Sequence, residues 1–441
     1  MRSRLCTAAC ALAAALWLGA LALPAQSGAA RHPAQQATAH VLGGLNVGGL
    51  DFASTPADAD RSIAIARSVK AKVVRALIPW AVFEPREGRG PDAQALAFTD
   101  RLVNAAAAAR IKVIMTVERT PCWASSAPAA LLRKCSAGTM GRANAYPPKS
   151  TAAYATFIAY LAKRYGTKLG ALEVWSEPDQ SNEQYFAGPR KVARYAALLR
   201  AAYPAVKAAN RSVTVLGGSL TGSNGLFLKA LYAAGVKGYY DGLSVHYYNL
   251  TLASIRSIHE VQLAAGDDRP IWLDEFGWSS CWPRQRVQQE QGCVTAPVQA
   301  RNLADTFRSL ARAPYVAAAT VYKLQDTPNE DFGVLAAGGA RKPAFVGLAR
   351  SLAAPLGPIT PVRLSLRARH GHVIASGSGP VGDYMQLEVL SGGVLRYRVL
   401  FTLDRFNRFS VPLPAALGTR GLQVRVFQYW QGAGRAAVRF R

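Results

Sequence analysis

Short apolar runs and longer amphipathic stretches alternate along most of this chain. The runs Val41–Val47, Val73–Ile78, Lys112–Val117, Ala171–Trp175, Val213–Gly217, Gly242–Val245, Ile271–Leu273 and Val316–Tyr322 read as buried strands, being short, apolar and bounded by turn residues. Between them apolar residues recur at helical spacing in Ala57–Val69, Gln94–Arg110, Thr151–Tyr165, Pro189–Asn210, Asn224–Ala234, Leu252–Leu263 and Thr295–Ala311, with a last such stretch at Pro343–Leu352. Eight strands separated by helices predict an α/β chain whose residues 41–352 form a (β/α)8 TIM barrel. A doubly wound open sheet is the rival fold, but no Gly-rich phosphate loop follows the first strand.

The pattern changes after Leu352. Residues 353–358 (Ala-Ala-Pro-Leu-Gly-Pro) read as a linker, and from Ile359 the runs shorten and alternate, as in Met385–Leu390 and Gly421–Tyr429. Turns rich in Gly, Asn and Pro separate them, which predicts a small all-β sandwich domain at 359–441. Tyr397, Tyr429 and Trp430 could stack on a sugar there, although such aromatics are more often sandwich core.

The first residues read as a targeting segment. A basic Met1–Arg4, an apolar Leu5–Leu23 and a small-residue finish describe a secretory signal peptide over 1–29, cut after Ala25 or Ala29 and followed by a polar linker over 30–40. The run approaches membrane-spanning length, so an uncleaved anchor is the alternative. Its alanine content and the helix-breaking residues after it favour cleavage and a secreted, extracytoplasmic protein. Cys6 and Cys10 would leave with that segment, and Cys122, Cys135, Cys281 and Cys293 remain. Proximity in sequence favours Cys122–Cys135 and Cys281–Cys293 disulfides. A zinc site is the competing explanation, but close Cys pairs and neighbouring His are lacking.

The formal net charge is +26, and residues 361–441 hold twelve Arg and no Lys against Asp383, Glu388 and Asp404. Such a field favours anionic partners such as acidic polysaccharide, teichoic acid or lipid headgroups, and the basic C-terminal domain could attach to a cell wall or surface. A general bias towards Ala, Arg and Gly explains the charge as readily. No basic cluster is interleaved with stacking aromatics as in a nucleic-acid module, so nucleic acid is not an expected partner.

Two strand ends carry the chemistry. Leu172–Asp179 (Leu-Glu-Val-Trp-Ser-Glu-Pro-Asp) delivers Glu177 just before a proline, and Ile271–Trp278 (Ile-Trp-Leu-Asp-Glu-Phe-Gly-Trp) delivers Glu275 just before Phe276-Gly277. One such Glu alone is more often half of a loop ion pair. Two of them, after the fourth and seventh strands of a barrel, lie where catalytic groups gather. Two carboxyls across a sugar bond are the minimum machinery of retaining glycoside hydrolysis.

Order and spacing here resemble the clan A glycoside hydrolases, most closely family 39 and the related bacterial exopolysaccharide glycosidases. Those have Trp-Asn-Glu-Pro at the fourth strand and a Glu at the seventh. Further matches are Thr120–Ala124 after the third strand, Tyr146–Pro148 and Arg164–Gly166 ahead of the fourth, and His246-Tyr247-Tyr248 after the sixth. The resemblance runs from Gly43 to Leu352; the tail beyond Pro358 has no such match. It implies Glu177 as general acid/base, Glu275 as nucleophile, and Arg75 and Tyr248 as groups orienting that nucleophile. His246 fits a positioning or substrate-contact role, because the two Glu fill both catalytic roles. Trp80, Trp123 and Trp278 could stack on sugar rings or simply pack loops. The chain departs from the family at Ser176, where the resemblance calls for an Asn that contacts the sugar 2-hydroxyl. Neither metal nor cofactor is expected. A glycan-binding barrel without turnover and a transglycosylase with the same carboxylates are the alternatives to a hydrolase of polysaccharide or oligosaccharide.

Overall fold

The computed structural model describes residues 41–248, 251–284, 293–369, 372–382, 384–418, 421–429 and 436–440. The expected signal peptide, the linker to His40 and Trp430 lie outside them. Eight parallel strands, β1 (Leu42–Gly49), β2 (Val73–Pro79), β3 (Lys112–Glu118), β4 (Leu169–Val174), β5 (Val215–Leu220), β6 (Gly242–His246), β7 (Ile271–Phe276) and β8 (Val316–Val321), close into a barrel. Closure comes from β1, which pairs with β2 on one side and β8 on the other. The β1–β2 approach is close enough that a Cβ at Gly44 would lie 1.6 Å from the Val73 carbonyl oxygen. Helices between the strands start on side-chain caps. Thr55 and Asp58 form a reciprocal capping box at the helix Pro56–Ser68, and Asp92 accepts from the Gln94 and Ala95 amides at the helix Ala93–Ala108.

Strand alternation divides the barrel interior into layers. Val73, Ile114, Ala171, Leu216, Trp272 and Ala318 pack into one apolar cluster. Two residues further along the same strands stand Arg75, Thr116, Glu173, Asp274 and Thr320, all buried and polar. The lower layer is a dry plug; the upper one is built of charges and hydroxyls. For this reason β7 extends through Phe276, whereas the apolar pattern ends it at Leu273. Asp274 breaks the pattern because it faces the interior.

After the helix Pro343–Ala353, the chain forms two antiparallel sheets. Strands β9 (Arg363–Arg369), β10 (His372–Ser378) and β13 (Arg408–Pro412) make one, in the order β13-β10-β9. The other runs β12-β11-β14-β15, from β11 (Met385–Ser391), β12 (Val394–Phe401), β14 (Leu422–Gln428) and β15 (Ala436–Phe440). Val373, Ala375, Met385, Leu387, Val389 and Val424 fill the space between them, and Tyr397 packs against that core. Tyr429 is exposed. No helix among the described residues is long and apolar enough to cross a membrane.

Both expected disulfides are present, Cys122–Cys135 after β3 and Cys281–Cys293 after β7. Each closes a loop on the face where the strands end. The sandwich reaches that face as well. The Leu252 amide donates to the Gly382 carbonyl at 2.9 Å. Trp282 meets Phe406 edge-on at 5.6 Å, with the Arg405 guanidinium over its ring.

Asn407 holds this junction. It is buried, adopts a left-handed φ of 61° and donates to the Asn302 side-chain oxygen at 2.6 Å. Asn407→Val should remove that bond and force a β-branched residue into a disfavoured conformation. The expected loss is about 2–4 kcal/mol in urea unfolding, from an orphaned buried amide plus backbone strain.

Candidate active site

The upper interior layer is organised around Arg75, which is fully buried. Its Nε and Nη2 donate to Glu173 Oε2 at 3.0 and 2.9 Å. Nη1 reaches Glu275 Oε1 at 2.6 Å and Asn46 Oδ1 at 3.2 Å. Asp274 Oδ2 lies 2.9 Å from Nε. Glu173 also accepts from the hydroxyls of Thr116 at 2.5 Å and Ser219 at 2.6 Å. Thus one guanidinium from β2 faces carboxylates delivered by β4 and β7.

Glu275 sits at the rim of this layer. Its second oxygen, Oε2, accepts from the Tyr248 hydroxyl at 2.8 Å. Burial, then the Glu275 charge, hold the Tyr248 phenol well above its ordinary pKa, so it stays a donor. The carboxylate therefore has a cation on one oxygen and a phenol on the other, which fixes its direction.

Glu177 follows β4 in a strained turn. Trp175 and Glu177 both have positive φ, 70° and 49°. The Trp175 indole is buried and donates to the Tyr185 carbonyl at 3.0 Å. Asp179 accepts the Thr221 and Gly222 amides, tying this loop to the one after β5. Glu177 Oε1 faces His246 Nδ1 at 2.8 Å, and Oε2 accepts from Gln180 Nε2 at 2.8 Å. Burial pushes the Glu177 carboxyl up, but the hydrogen bond and charge of His246 outweigh it and hold the group below the usual carboxylate range. Burial pulls the imidazole down, yet the charges of Glu275 and Asp274 more than offset that, and its pKa stands well above the ordinary histidine value. His246 and Glu177 behave as a pair holding one proton between them.

The structure brings together Glu177, Glu275, Arg75, Tyr248, His246 and Ser176, whose hydroxyl takes a 3.4 Å contact from Arg75 Nη2. The tryptophans divide differently. Trp80 is 1% exposed and stacks on Phe157 at 5.3 Å, and Trp278 is 3% exposed against Phe276. Neither offers an open face to a sugar, and of the two roles left open for them both rings fit packing. Trp123 is partly exposed, its edge on Trp80 and its Nε1 donating to the Glu84 carbonyl.

Sequence reading missed Glu118, Glu173, Asp274 and Asn46. Glu118 ends β3, is buried, and is pushed up by that burial against the pull of Arg119. The usable signal was the step of two from Val73 to Arg75, Ala171 to Glu173 and Trp272 to Asp274. A metal needs donor atoms that converge, and one atom each of Glu177, His246 and Glu275 lie within 4.8 Å of one another. The Arg75 guanidinium and the His246 imidazole already set positive charge against both carboxylates, which matches acid–base and nucleophile work.

No family model matches the chain, and no curated protein sequence matches it. Solved structures do. A family 39 glycoside hydrolase from Bacteroides cellulosilyticus WH2 aligns with a TM-score of 0.54 at 18% identity, over 83% of this chain and 79% of that one. A GH39 enzyme from Xanthomonas axonopodis pv. citri gives 0.53 at 16% identity, over 86% and 93%. A GH39 β-xylosidase from Caulobacter crescentus gives 0.51 at 16% identity, over 86% and 96%. The chain shares the fold of family 39 glycoside hydrolases. At these identities the likeness concerns the path of the backbone, and the chemistry is read from this chain's own side chains.

Arg75→Met should be the most disruptive change in the layer, because Glu173 and Glu275 would lose their buried partner. Removing one side of such a network destabilises by about 3–5 kcal/mol. Urea unfolding should show that loss, and Arg75→Lys, which keeps the charge but not the fork, should lose less.

Proposed function

We propose that this protein is a secreted retaining glycoside hydrolase that cleaves O-glycosidic bonds in a polysaccharide or oligosaccharide. The observation that carries the reading is the differently held pair of carboxylates: Glu275 on Arg75 and Tyr248, Glu177 on His246. Their close approach, within 4.8 Å for one oxygen of each, suits direct attack on the sugar. Inverting enzymes leave about 6.5–9.5 Å for an intervening water.

In this reading Glu275 attacks the anomeric carbon as the glycosidic oxygen takes a proton from Glu177. A glycosyl ester forms on Glu275 and the leaving group departs. Glu177, now a base, takes a proton from water, whose oxygen attacks the same carbon and releases Glu275. The bracing of Glu275 from two sides favours turnover over passive glycan binding. Water access during the second step decides between hydrolysis and transfer to another sugar. The two disulfides fit an oxidising compartment and support export.

The substrate reading rests on a cavity of about 410 Å³ lined by Arg119, Arg142, Asn182, Glu183 and Gln184. The loop that follows Glu177 supplies one wall through Asn182, Glu183 and Gln184, and this reading assigns the cavity to the departing sugar. Arg119 is taken up by Glu118, the Gln184 carbonyl and the Tyr185 ring, so the exposed Arg142 is the cation that favours an anionic sugar there. The basic C-terminal domain fits attachment to an anionic cell wall or surface.

Two experiments test these readings. Glu275→Gln should abolish turnover on every substrate, whereas Glu177→Ala should spare activated aryl glycosides in the first step and be rescued by azide with retained configuration. Wild-type products of inverted configuration would sink the retaining assignment. On matched glycans, Arg142→Ala should raise KM about tenfold for a substrate with a carboxylate or sulfate on the leaving side and leave a neutral one unchanged, the size of one charge-assisted contact. Equal effects on both would remove the anionic reading and leave the hydrolase reading standing.

A further inference from the structure

Asp274 has no part in the two-carboxylate mechanism, yet it occupies the centre of the site. It is 1% exposed. One oxygen lies 2.9 Å from Arg75 Nε, and the other lies 3.5 Å from His246 Nε2. Arg75 leads to the nucleophile, and His246 leads to the acid/base. Neither oxygen of Asp274 nor Nε2 of His246 has a well-aligned hydrogen-bond partner among the described residues. Three buried polar atoms facing one another at this range are a costly arrangement unless a small adjustment pairs them.

We propose that Asp274 is a positioning residue that accepts the His246 Nε2–H, fixes the imidazole so that Nδ1 faces Glu177, and thereby makes His246 the proton store for the general acid. The inference rests on the glycosidase reading. In the resting site the proton of the pair is on His246 and Glu177 is a carboxylate. When a glycoside displaces solvent from Glu177, the proton on Nδ1 passes to Glu177 Oε1, leaving a neutral acid and a neutral imidazole whose Nε2–H stays on Asp274. The acid then protonates the leaving oxygen. Charge is conserved at each transfer, and no outside proton donor is needed.

The groups facing Asp274 set when this works. They are Arg75 from β2, Glu173 from β4, His246 from β6 and Glu275 on its own strand, with Glu177 and Glu118 beyond. Burial first, and then the charge of Glu173, push the Asp274 carboxyl up to about 8. Below that pH a neutral Asp274 accepts from Nε2 through its carbonyl oxygen without strengthening the imidazolium. Above it the new charge holds the proton on His246, so Glu177 is less readily armed and leaving-group protonation should fall.

Asp274→Asn tests this with little change of shape. Its amide turned to Nε2 would make that nitrogen an acceptor and leave Nδ1–H permanently on Glu177, the wrong tautomer for arming the acid. The expected result is a loss of about a hundredfold in kcat on glycosides with poor leaving groups. Activated aryl glycosides should keep their first-step rate, KM should move little, and the alkaline limb near pH 8 should disappear. Equal losses on both substrate classes, or no loss on either, would overturn the proposal. A second readout needs neither turnover nor a folded Asp274 variant. In nitrogen-15 spectra of the wild-type histidines, the His246 signals are those missing from His246→Gln. Protonated Nε2 at pH 7 is expected; an unprotonated Nε2 overturns the proposal whatever the substrate proves to be.

Discussion

A single guanidinium in the dry interior of the barrel constrains the rest of the site. Arg75 is fully buried with Glu173, Asp274 and Glu275 all within 3 Å of its nitrogens. Three full negative charges around one positive charge would not survive there, since desolvation of each ion outweighs what a shared partner returns. The layer resolves the imbalance chemically. Burial and the charge of Glu173 push the Asp274 carboxyl up, which disfavours its ionised form, while Glu173 is held low because Arg75, a hydrogen bond with Asp274 and the hydroxyl of Ser219 offset its burial. A hydrophobic layer of equal volume would be the more stable solution. That this barrel has a polar one is an argument that it serves the carboxylate at its rim.

Backbone strain also falls on this rim. Arg119, Trp175, Glu177 and Ser219 all adopt positive φ at the ends of β3, β4 and β5. Non-glycine residues there cost about 1–3 kcal/mol each, and persist only where surrounding packing over-determines them. That packing is visible as an aromatic series behind the β4 turn, running from Tyr154 through Trp175 and Phe186 to Tyr195. The Tyr154 and Tyr195 hydroxyls donate to the Val117 and Val174 carbonyls, which pins the strand ends to the helices outside. The same series explains why aromatic residues near strand ends pack rather than face the cleft. The turn that aims Glu177 needs a rigid wall behind it.

Periodicity carried the fold. Eight apolar runs of strand length separated by helical stretches leave few architectures other than a closed barrel. Glu177 and Glu275 were legible because each interrupts an apolar run beside a breaker or glycine. Glu173 and Asp274 were not. They lie inside the runs, where an isolated acid reads as a defect in the pattern, and only pairing with Arg75 across the barrel explains them. That pairing joins residues 98 apart for Glu173 and 200 apart for Glu275, which no local pattern encodes. Trp80 and Trp278 left two roles open for the converse reason. A tryptophan at a strand end looks the same in sequence whether its ring faces a sugar or a helix.

The C-terminal sandwich fits this account better as part of the catalytic face than as a detached tail. Its contacts include the start of the helix after β6, the loop after β7 and the helix that follows that loop, next to the two strands that deliver His246 and Glu275. Gly382, at a φ of 109°, accepts the Leu252 amide at 2.9 Å, a few residues beyond Tyr248, and a Cβ added there would crowd the Leu252 side chain at 3.1 Å. On the neighbouring loop, Trp282 beside the Cys281–Cys293 disulfide is held between Phe406 and Arg405. Tyr248 must meet Glu275 to within a few tenths of an ångström to hold its carboxylate in line, and loops left to themselves are the softest parts of a barrel. A second domain packed against these elements ties them to a further core, which is the expected way to restrict such loops where the barrel's own strands have ended.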